Sequence, residues 1–229
     1  GTRGSGPLRI SDFLARAVAR IDILFHSDQV ITGLSTAYKD LDEMTSGLQP
    51  ADLVIVAGRP SMGKTTFAMN IAEHAAIQGD KPGLIFSMEM PGQALAMRMM
   101  SSLGRIDQHK IRTGKLADED WPRVTSAVSM LSEAKMFIDD TPALSPGEVR
   151  ARARRVTKEQ GALGLIVIDY IQLMQVPGSK ENRTTEISEI SRGLKALAKE
   201  LDVPIIALSQ LNRSLEQRAD KRTEMSDIR

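Results

Sequence analysis

A glycine-containing segment at residues 58–65 constrains the fold of this chain more than any other feature of its sequence. It reads GRPSMGKT and so matches the pattern G-x-x-x-x-G-K-[ST]. The apolar run 53–57 comes directly before it, and a helical pattern over residues 65–76 follows. A strand, such a loop and a helix in succession are typical of a phosphate-binding loop, and this context separates it from a turn that is merely rich in glycine. The segment therefore predicts a site for a nucleoside triphosphate.

Each residue type in this loop has a physical role in holding phosphates. Gly58 and Gly63 let the backbone bend closely around an anion, and the amides of the loop and of the helix N-terminus point at it. Lys64 reaches the β and γ phosphates, and the Thr65 hydroxyl is a ligand for Mg²⁺. We therefore expect ATP, or another nucleoside triphosphate, together with Mg²⁺. The predicted nucleotide site comprises Gly58, Arg59, Pro60, Ser61, Met62, Gly63, Lys64, Thr65 and Thr66.

A second anchor for the metal is expected at the end of another apolar strand. Residues 165–169 read LIVID, so Asp169 closes an apolar run with a carboxylate. In a parallel sheet this carboxylate falls at the C-terminal edge, and we expect it beside the phosphate loop. An Asp in this position is otherwise a turn or helix cap, but the phosphate loop favours the metal role. Thr65 and Asp169 are the predicted metal ligands.

Hydrolysis also needs a carboxylate that orients or deprotonates the attacking water. Glu89 follows the apolar run 84–87 and precedes Pro91, which opens a helical pattern. Its side chain is expected on the same sheet edge as Lys64, although a Glu here could instead interact with the helix dipole. Asp139 and Asp140 end another strand and compete for the same role. We rank them below Glu89 because paired carboxylates before Thr-Pro also form an ordinary turn.

A neutral amide closes the last apolar strand. Gln210 follows the run 203–208 and is succeeded by Asn212 and Arg213. An amide at this edge can hydrogen-bond the γ-phosphate and lose that partner on hydrolysis, which would pass the state of the site to the next loop. The alternative is a polar strand end that faces solvent. The predicted catalytic set is Glu89, Lys64 and Gln210.

Short apolar runs alternate with amphipathic stretches along most of the chain, which indicates an α/β fold with a mostly parallel sheet covered by helices on both faces. The predicted strands are residues 53–57, 84–87, 136–138, 163–168 and 203–208. The predicted helices are residues 65–76, 91–103, 118–133, 145–160 and 184–201. Two polar stretches, residues 177–183 and 212–229, are interpreted as loops.

The N-terminal part is organised differently. Residues 1–7 are interpreted as a flexible lead-in or an expression remnant, and Ser11 is a candidate cap for an amphipathic helix. The helix carries apolar residues at helical spacing: Phe13, Leu14, Ala17, Val18, Ile21, Leu24 and Phe25. A polar connection, residues 26–36, separates it from the first strand. Its apolar stripe packs either on its own domain or on a neighbouring subunit, and the pattern alone leaves both open.

Composition excludes several classes of protein. With no cysteine there is no disulfide framework, no thiolate zinc site and no cysteine nucleophile. No apolar run approaches the roughly 20 residues of a membrane helix, so we expect a cytoplasmic protein without membrane contact. The 30 basic residues nearly balance 29 acidic ones, so any nucleic-acid binding must be local. The basic pattern over residues 150–158 is either a nucleic-acid contact or an exposed helix face.

Several stretches together resemble the C-terminal motor domain of the DnaB family of bacterial replicative helicases, a RecA-like ATPase. The similarity runs from about residue 32 to residue 229, and the preceding helix resembles the interdomain linker of that family. The stretches that carry it are residues 33–72, FSMEMP at 86–91, KIRTG at 110–114, LIVIDYIQLM at 165–174, EISRGLKALAKEL at 189–201 and ALSQLNRSLEQR at 207–218. Several motifs in this order are far more specific than a phosphate loop alone.

The resemblance implies a domain plan of a lead-in at 1–7, a linker helix with its connection at 8–31, and a RecA-like domain at 32–229. It implies a homohexameric ring that moves 5′ to 3′ on single-stranded DNA and works with primase and a helicase loader. The family's catalytic Glu, Walker-B Asp and γ-phosphate-sensing Gln fall on Glu89, Asp169 and Gln210. Its channel loops fall near residues 177–183 and 214–229. The implied DNA contacts are Arg229, Arg218 and Arg183.

Two other functions remain open at this stage. A RecA-like ATPase of the KaiC or RadA type, acting on protein or in recombination without processive unwinding, would carry the same phosphate loop, Glu89 and Asp169. An oligomerisation module without hydrolysis is the other. The resemblance implies that the family's N-terminal collar domain, and the arginine finger beyond residue 229, lie outside this sequence. We therefore expect weak hydrolysis by these 229 residues alone.

Overall fold

A computed structural model describes residues 6–25, 47–58, 62–169, 171–174, 176, 183–210 and 223–224. Six strands form one sheet within this part of the chain, in the order β3-β2-β4-β5-β1-β6, and each neighbouring pair is parallel. The strands are β1 Leu53–Gly58, β2 Gly83–Ser87, β3 Met136–Asp139, β4 Leu165–Asp169, β5 Ile205–Gln210 and β6 Thr223–Glu224. The prediction of a mostly parallel sheet is confirmed.

Seven α-helices lie in the described ranges. They are α1 Ile10–Phe25, α2 Met62–Gln78, α3 Gly92–Gly104, α4 Gln108–Thr113, α5 Trp121–Glu133, α6 Pro146–Gln160 and α7 Arg183–Leu201. Short 3₁₀ turns at Asp118–Asp120 and Ile171–Leu173 complete the regular structure of these residues.

The helices cover the sheet in two layers. Alternate strand residues such as Phe86, Ile166 and Ile168 are buried with side chains of α6 and α7 on one face. Their neighbours in sequence, such as Ile85 and Val167, are buried with side chains of α2 and α3 on the other. Because both faces of the sheet are covered, the strands carry continuous apolar runs instead of alternating apolar and polar residues.

Helix α1 presents its apolar side chains to solvent. Seven of them are more than half exposed: Ile10, Phe13, Leu14, Val18, Ile21, Ile23 and Phe25. No part of the chain that the structure describes therefore covers the stripe, and its packing on its own domain or on a neighbouring subunit stays a prediction. The helix contains Ser11 as its second residue, so the prediction of Ser11 as the cap is wrong. The connection at 26–36 lies outside the described residues.

The structure differs from the sequence prediction at two helix starts and in two elements that the prediction lacks. Helix α2 begins at Met62, inside the phosphate-loop motif, not at residue 65. Helix α4 was missed because six residues carry too little periodicity; Asp107 caps it, accepting the His109 N–H at 2.7 Å. The predicted helix 118–133 is a 3₁₀ turn followed by α5. Strand β6 lies within the stretch 212–229, for which the sequence predicts a loop.

Candidate functional site

The phosphate-loop motif joins a strand to a helix. Strand β1 ends at Gly58 and α2 begins at Met62, while residues 59–61 lie outside the described part of the chain. Lys64 and Thr65 are the third and fourth residues of α2. The first four N–H groups of a helix have no partner within it, and no acidic residue lies in the first turn of α2 to compete with an anion. The start of α2 therefore favours phosphate binding.

The strand register places the predicted residues at one edge of the sheet. Gly58 pairs with Gln210 across β1 and β5, and Ser87 pairs with Asp169 across β2 and β4. All four positions are strand ends in a parallel sheet, so they share its C-terminal edge. Strand β5 lies between β1 and β4, so the strand of Asp169 is not the direct neighbour of β1, and the place of Asp169 beside the phosphate loop stays a prediction. Sheet order does not follow sequence order, so this insertion was not readable from the sequence.

Asp169 is among the few acidic side chains that the described residues bury, with 2% of its surface exposed. Its backbone carbonyl accepts the Met88 N–H at 2.9 Å, which joins the ends of β4 and β2. Carboxylate oxygens are the ligands that Mg²⁺ takes from proteins, usually one or two at a site where phosphates complete the shell. The position of Asp169 therefore fits the predicted metal role.

Glu89 lies two residues beyond the end of β2, with an exposed side chain. The backbone around it is held closely. The Ser87 hydroxyl donates to the Met90 carbonyl at 2.8 Å, and the Gly92 N–H that opens α3 is bonded to Asp140 Oδ2 at 2.8 Å. Since Asp140 accepts this N–H, the helix start does not depend on Glu89 for a cap. This weakens the alternative role of Glu89 at the helix dipole.

The two competing carboxylates are engaged elsewhere. Asp139 forms an ion pair with Arg152 of α6, with 2.9 Å between Oδ2 and Nη1, and it also accepts the Thr141 N–H at 3.1 Å. Burial acts to raise the pKa of Asp139, but the hydrogen bonds from Arg152 and Thr141 outweigh burial and lower the pKa. Asp140 accepts the N–H of Gly92. Both contacts favour Glu89 over this pair as the base.

Sequence reasoning missed a link between β4 and β5. The Gln172 amide donates from Nε2 to the Ser209 hydroxyl at 2.8 Å. Gln172 lies in the turn after Asp169, and Ser209 directly precedes Gln210. The bond therefore ties the strand end of the metal candidate to that of the γ-phosphate candidate. The two residues are 37 positions apart, so no local pattern signalled the contact.

A comparison with protein families decides the relationship. The model described as "DnaB-like helicase C terminal domain" matches residues 33–229, which is most of the chain. The chain belongs to this family. The match begins within one residue of the start expected from the sequence motifs and includes every predicted site residue.

Curated relatives of this DnaB-like domain are replicative DNA helicases. The chain is 58% identical over 229 residues to Replicative DNA helicase DnaB of Buchnera aphidicola subsp. Schizaphis graminum, covering 99% of this chain and 49% of the relative. It is 54% identical over 232 residues to the protein of that name from Haemophilus influenzae, covering 100% of this chain and 50% of the relative. The chain thus spans about half the length of the curated relatives it matches.

Solved structures of this family have the same fold. One that is described as an ATPase domain aligns with a TM-score of 0.84 at 34% identity, covering 98% of this chain and 78% of that one. "The Structure Of A DnaB-Like Replicative Helicase And Its Interactions With Primase" aligns with a TM-score of 0.80 at 34% identity, covering 98% and 53%. The sheet and its covering helices are therefore those of a RecA-like helicase ATPase domain.

The basic pattern on α6 is engaged by carboxylates in this DnaB-like domain. Arg150 and Arg154 both pair with Glu200 of α7, and Arg155 pairs with Glu159 one turn along α6. Burial acts to raise the pKa of Glu200, but hydrogen bonds from the two arginines lower it. DNA phosphates would have to displace these carboxylates from the arginines. The ion pairs therefore favour an exposed helix face over a nucleic-acid contact.

The predicted DNA contacts fall largely outside the described residues. Arg218 and Arg229 lie there, as do residues 177–182. Arg183 is the first residue of α7, at the start of the helix that follows this loop. The side chains of Lys64, Thr65 and Gln210 are likewise not described, so their roles stay predictions that rest on backbone position.

Within the described ranges, no three acidic or histidine side chains gather as a metal site. A phosphate-bound Mg²⁺ typically takes one or two protein ligands and completes its shell with phosphate oxygens and water. One carboxylate, that of Asp169 at the C-terminal edge of the sheet, therefore fits this ion. None of the described helices has the length and apolar character required to cross a bilayer.

Proposed function

We propose that this chain is the motor domain of a replicative DNA helicase that hydrolyses ATP, or another nucleoside triphosphate, to move 5′ to 3′ on single-stranded DNA. The observation that carries the proposal is the register of β2, β4, β5 and β1. This register places the last residues of three strands, Asp169, Gln210 and Gly58, at one edge of the sheet. The end of β2, which Glu89 follows, lies at the same edge. The family match and the replicative helicases among its relatives support the same function.

Each residue has a task in the proposed reaction. The first-turn amides of α2 and the Lys64 ammonium bind the β and γ phosphates and stabilise charge that builds up during transfer. Glu89 orients the attacking water and takes up its proton. Gln210 hydrogen-bonds the γ-phosphate and loses that partner after hydrolysis. The link from Ser209 to Gln172 then carries the change toward the loop after β4.

Thr65 and Asp169 are the residues that would hold Mg²⁺. When bound, this ion neutralises negative charge on the β and γ phosphates. Asp169 suits the task because it closes β4 at the C-terminal edge of the sheet and offers carboxylate oxygens, which Mg²⁺ takes as ligands.

The whole assembly is proposed on the same basis. We infer a homohexameric ring in which the channel loops, with Arg183, Arg218 and Arg229, contact DNA phosphates. A neighbouring subunit would supply the arginine finger. Primase is proposed as a partner because a similar solved structure is described by its interactions with primase. A helicase loader is proposed from the resemblance.

The site assignment is tested by Lys64→Ala. Loss of the ammonium leaves phosphate charge uncompensated, so we expect at least ~10-fold weaker binding of a fluorescent ATP analogue and no detectable hydrolysis. Lys81→Ala is the matched control, because Lys81 is exposed and precedes β2 at the opposite edge of the sheet. Both variants are measured in a full-length helicase carrying this domain, and unchanged binding and turnover in Lys64→Ala would refute the nucleotide site.

A further inference from the structure

The geometry points to Asp140 as a positioning residue that holds the backbone segment carrying Glu89 in place for catalysis. This inference rests on the proposed role of Glu89 as the base. Asp140 directly follows β3, the strand next to β2 at the edge of the sheet. Its Oδ2 atom accepts the backbone N–H of Gly92 at 2.8 Å, across 48 positions of sequence.

The segment between β2 and α3 is anchored at three points. The Met88 N–H bonds the Asp169 carbonyl at 2.9 Å, and the Ser87 hydroxyl bonds the Met90 carbonyl at 2.8 Å. Asp140 provides the third anchor, on the C-terminal side of Glu89. Pro91, the residue before α3, contributes no side-chain cap. The carboxylate of Asp140 therefore acts as a charged cap from another strand, where the helix dipole also favours a negative charge.

Helix α6 holds the end of β3, which Asp140 follows, through the side chain of Arg152. Arg152 of α6 donates from Nη1 to both carboxylate oxygens of Asp139, at 3.1 and 2.9 Å, and to the Thr141 hydroxyl at 2.7 Å. One guanidinium thus fixes the residues on either side of Asp140. A continuous set of contacts runs from α6 through the end of β3 and Gly92 to the turn of Glu89.

Asp140 is better placed to position Glu89 than to replace it. In the sheet order, β3 lies one strand farther than β2 from β1 and the phosphate loop. With neighbouring strands about 4.8 Å apart, this adds about 5 Å to the distance an Asp140 side chain would have to bridge. Its Oδ2 atom is moreover occupied by the N–H of Gly92. Small displacements of a catalytic group are enough to slow a reaction strongly, so loss of this anchor should be visible in turnover.

The test compares Asp140→Ala with Asp140→Asn in a full-length helicase carrying this domain. Alanine removes the acceptor, and we expect kcat for ATP hydrolysis to fall about 10-fold while KM for ATP changes less than about 2-fold. Asparagine keeps an oxygen that accepts the Gly92 N–H, so it should restore most of the turnover. Asp107→Ala is the control, since Asp107 also accepts a helix N–H, that of His109 in α4, but from the residue directly before that helix, and kcat should not change.

A second pair of variants separates positioning from mere folding. In a Glu89→Gln background, Asp140→Ala should cause no further loss of single-turnover hydrolysis, because the group it positions is already gone. The inference is overturned if Asp140→Ala turns over normally, if Asp140→Asn is as inactive as Asp140→Ala, or if the two losses multiply. Normal hydrolysis by Glu89→Gln alone would instead refute the base assignment, and with it any positioning role that acts through Glu89.

Discussion

The site depends on where single residues stand at strand ends and at the first turn of a helix. Lys64 lies in the first turn of α2, Asp169 is the last residue of β4, and Glu89 follows β2 by two positions. Lys64 and Asp169 need no long side-chain network to reach this edge, whereas the turn of Glu89 is also held by the Ser87 hydroxyl and by the Asp140 carboxylate. Each follows from the backbone of a parallel sheet, whose strands all end at the same edge.

We expect Glu89→Gln to keep nucleotide binding and lose hydrolysis by about 10²-fold or more, the usual scale for a positioned base. Glutamine has nearly the same shape but cannot take up the proton of the water. Fluorescent-nucleotide titration and single-turnover hydrolysis measure the two effects separately. If Asp140→Asn loses hydrolysis to this extent and Glu89→Gln does not, the ranking of the carboxylates is reversed.

Glu73 gives this domain a predicted pH dependence of stability. It is 6% exposed on α2, and its carboxylate accepts a long hydrogen bond of 3.5 Å from the Ser102 hydroxyl of α3. Burial raises the pKa of Glu73 to about 7 from 4.5, although Ser102 acts to lower it. The stabilising contribution of the protonated form is complete below pH 4.5, the unfolded pKa, and is lost as pH rises through about 7.

Glu73→Gln should therefore stabilise the protein at pH 8 by about 1–3 kcal/mol and change little at pH 4.5. Glutamine resembles the protonated acid and has no charge to bury. Denaturant unfolding at the two pH values measures the difference in free energy of unfolding. Glu189→Gln, at an exposed position of α7, is the control, and its effect on the free energy of unfolding should be the same at both pH values. An equal effect of Glu73→Gln at both pH values would contradict the account.

At the scale of elements, β5 is central because it lies between the strand of the phosphate loop and the strand of the metal candidate. The predicted strands begin and end within two residues of the observed ones, since apolar runs mark buried strands directly. The order of the strands was not predictable, because it depends on which runs pair in space. For the same reason the contact of Asp140 with Gly92, and that of Gln172 with Ser209, had no signal in the sequence.

Helix α1 is the element whose apolar surface most needs a partner. We propose that residues 8–31 form a linker whose helix docks on a neighbouring subunit, since its apolar stripe is exposed in this chain. Covering each large apolar side chain would contribute about 1.5–3 kcal/mol. Deletion of residues 1–27 should therefore reduce self-association in sedimentation velocity. An unaffected mass distribution would refute the docking.

At the scale of the whole molecule, near-neutral charge restricts how the protein can hold DNA. The chain has 30 basic and 29 acidic residues, and the described arginines of α6 are paired with carboxylates, so we expect the proposed phosphate contacts to come from local loops. Each subunit would add only a contact or two. Affinity would then come from repetition around a ring, because linked weak contacts act together.

Arg229→Ala in an assembled ring should weaken poly-dT and mixed-sequence single strands alike. Phosphate contacts carry no sequence information, and fewer of them release fewer counterions, so the slope of affinity against salt should also fall. Titrations at several salt concentrations measure both quantities. Tight, sequence-selective and salt-insensitive binding by a monomer would contradict this view of DNA recognition.

We propose that the edge formed by β2, β4, β5 and β1 is a nucleotide-hydrolysing site that responds to DNA. Steady-state ATP hydrolysis by a full-length helicase carrying this domain, with and without poly-dT, tests it most directly. We predict that single-stranded DNA stimulates turnover in the wild type and that Lys64→Ala has no turnover in either condition. Two results would contradict this proposal: a wild-type hydrolysis rate that single-stranded DNA does not change, or measurable turnover in Lys64→Ala.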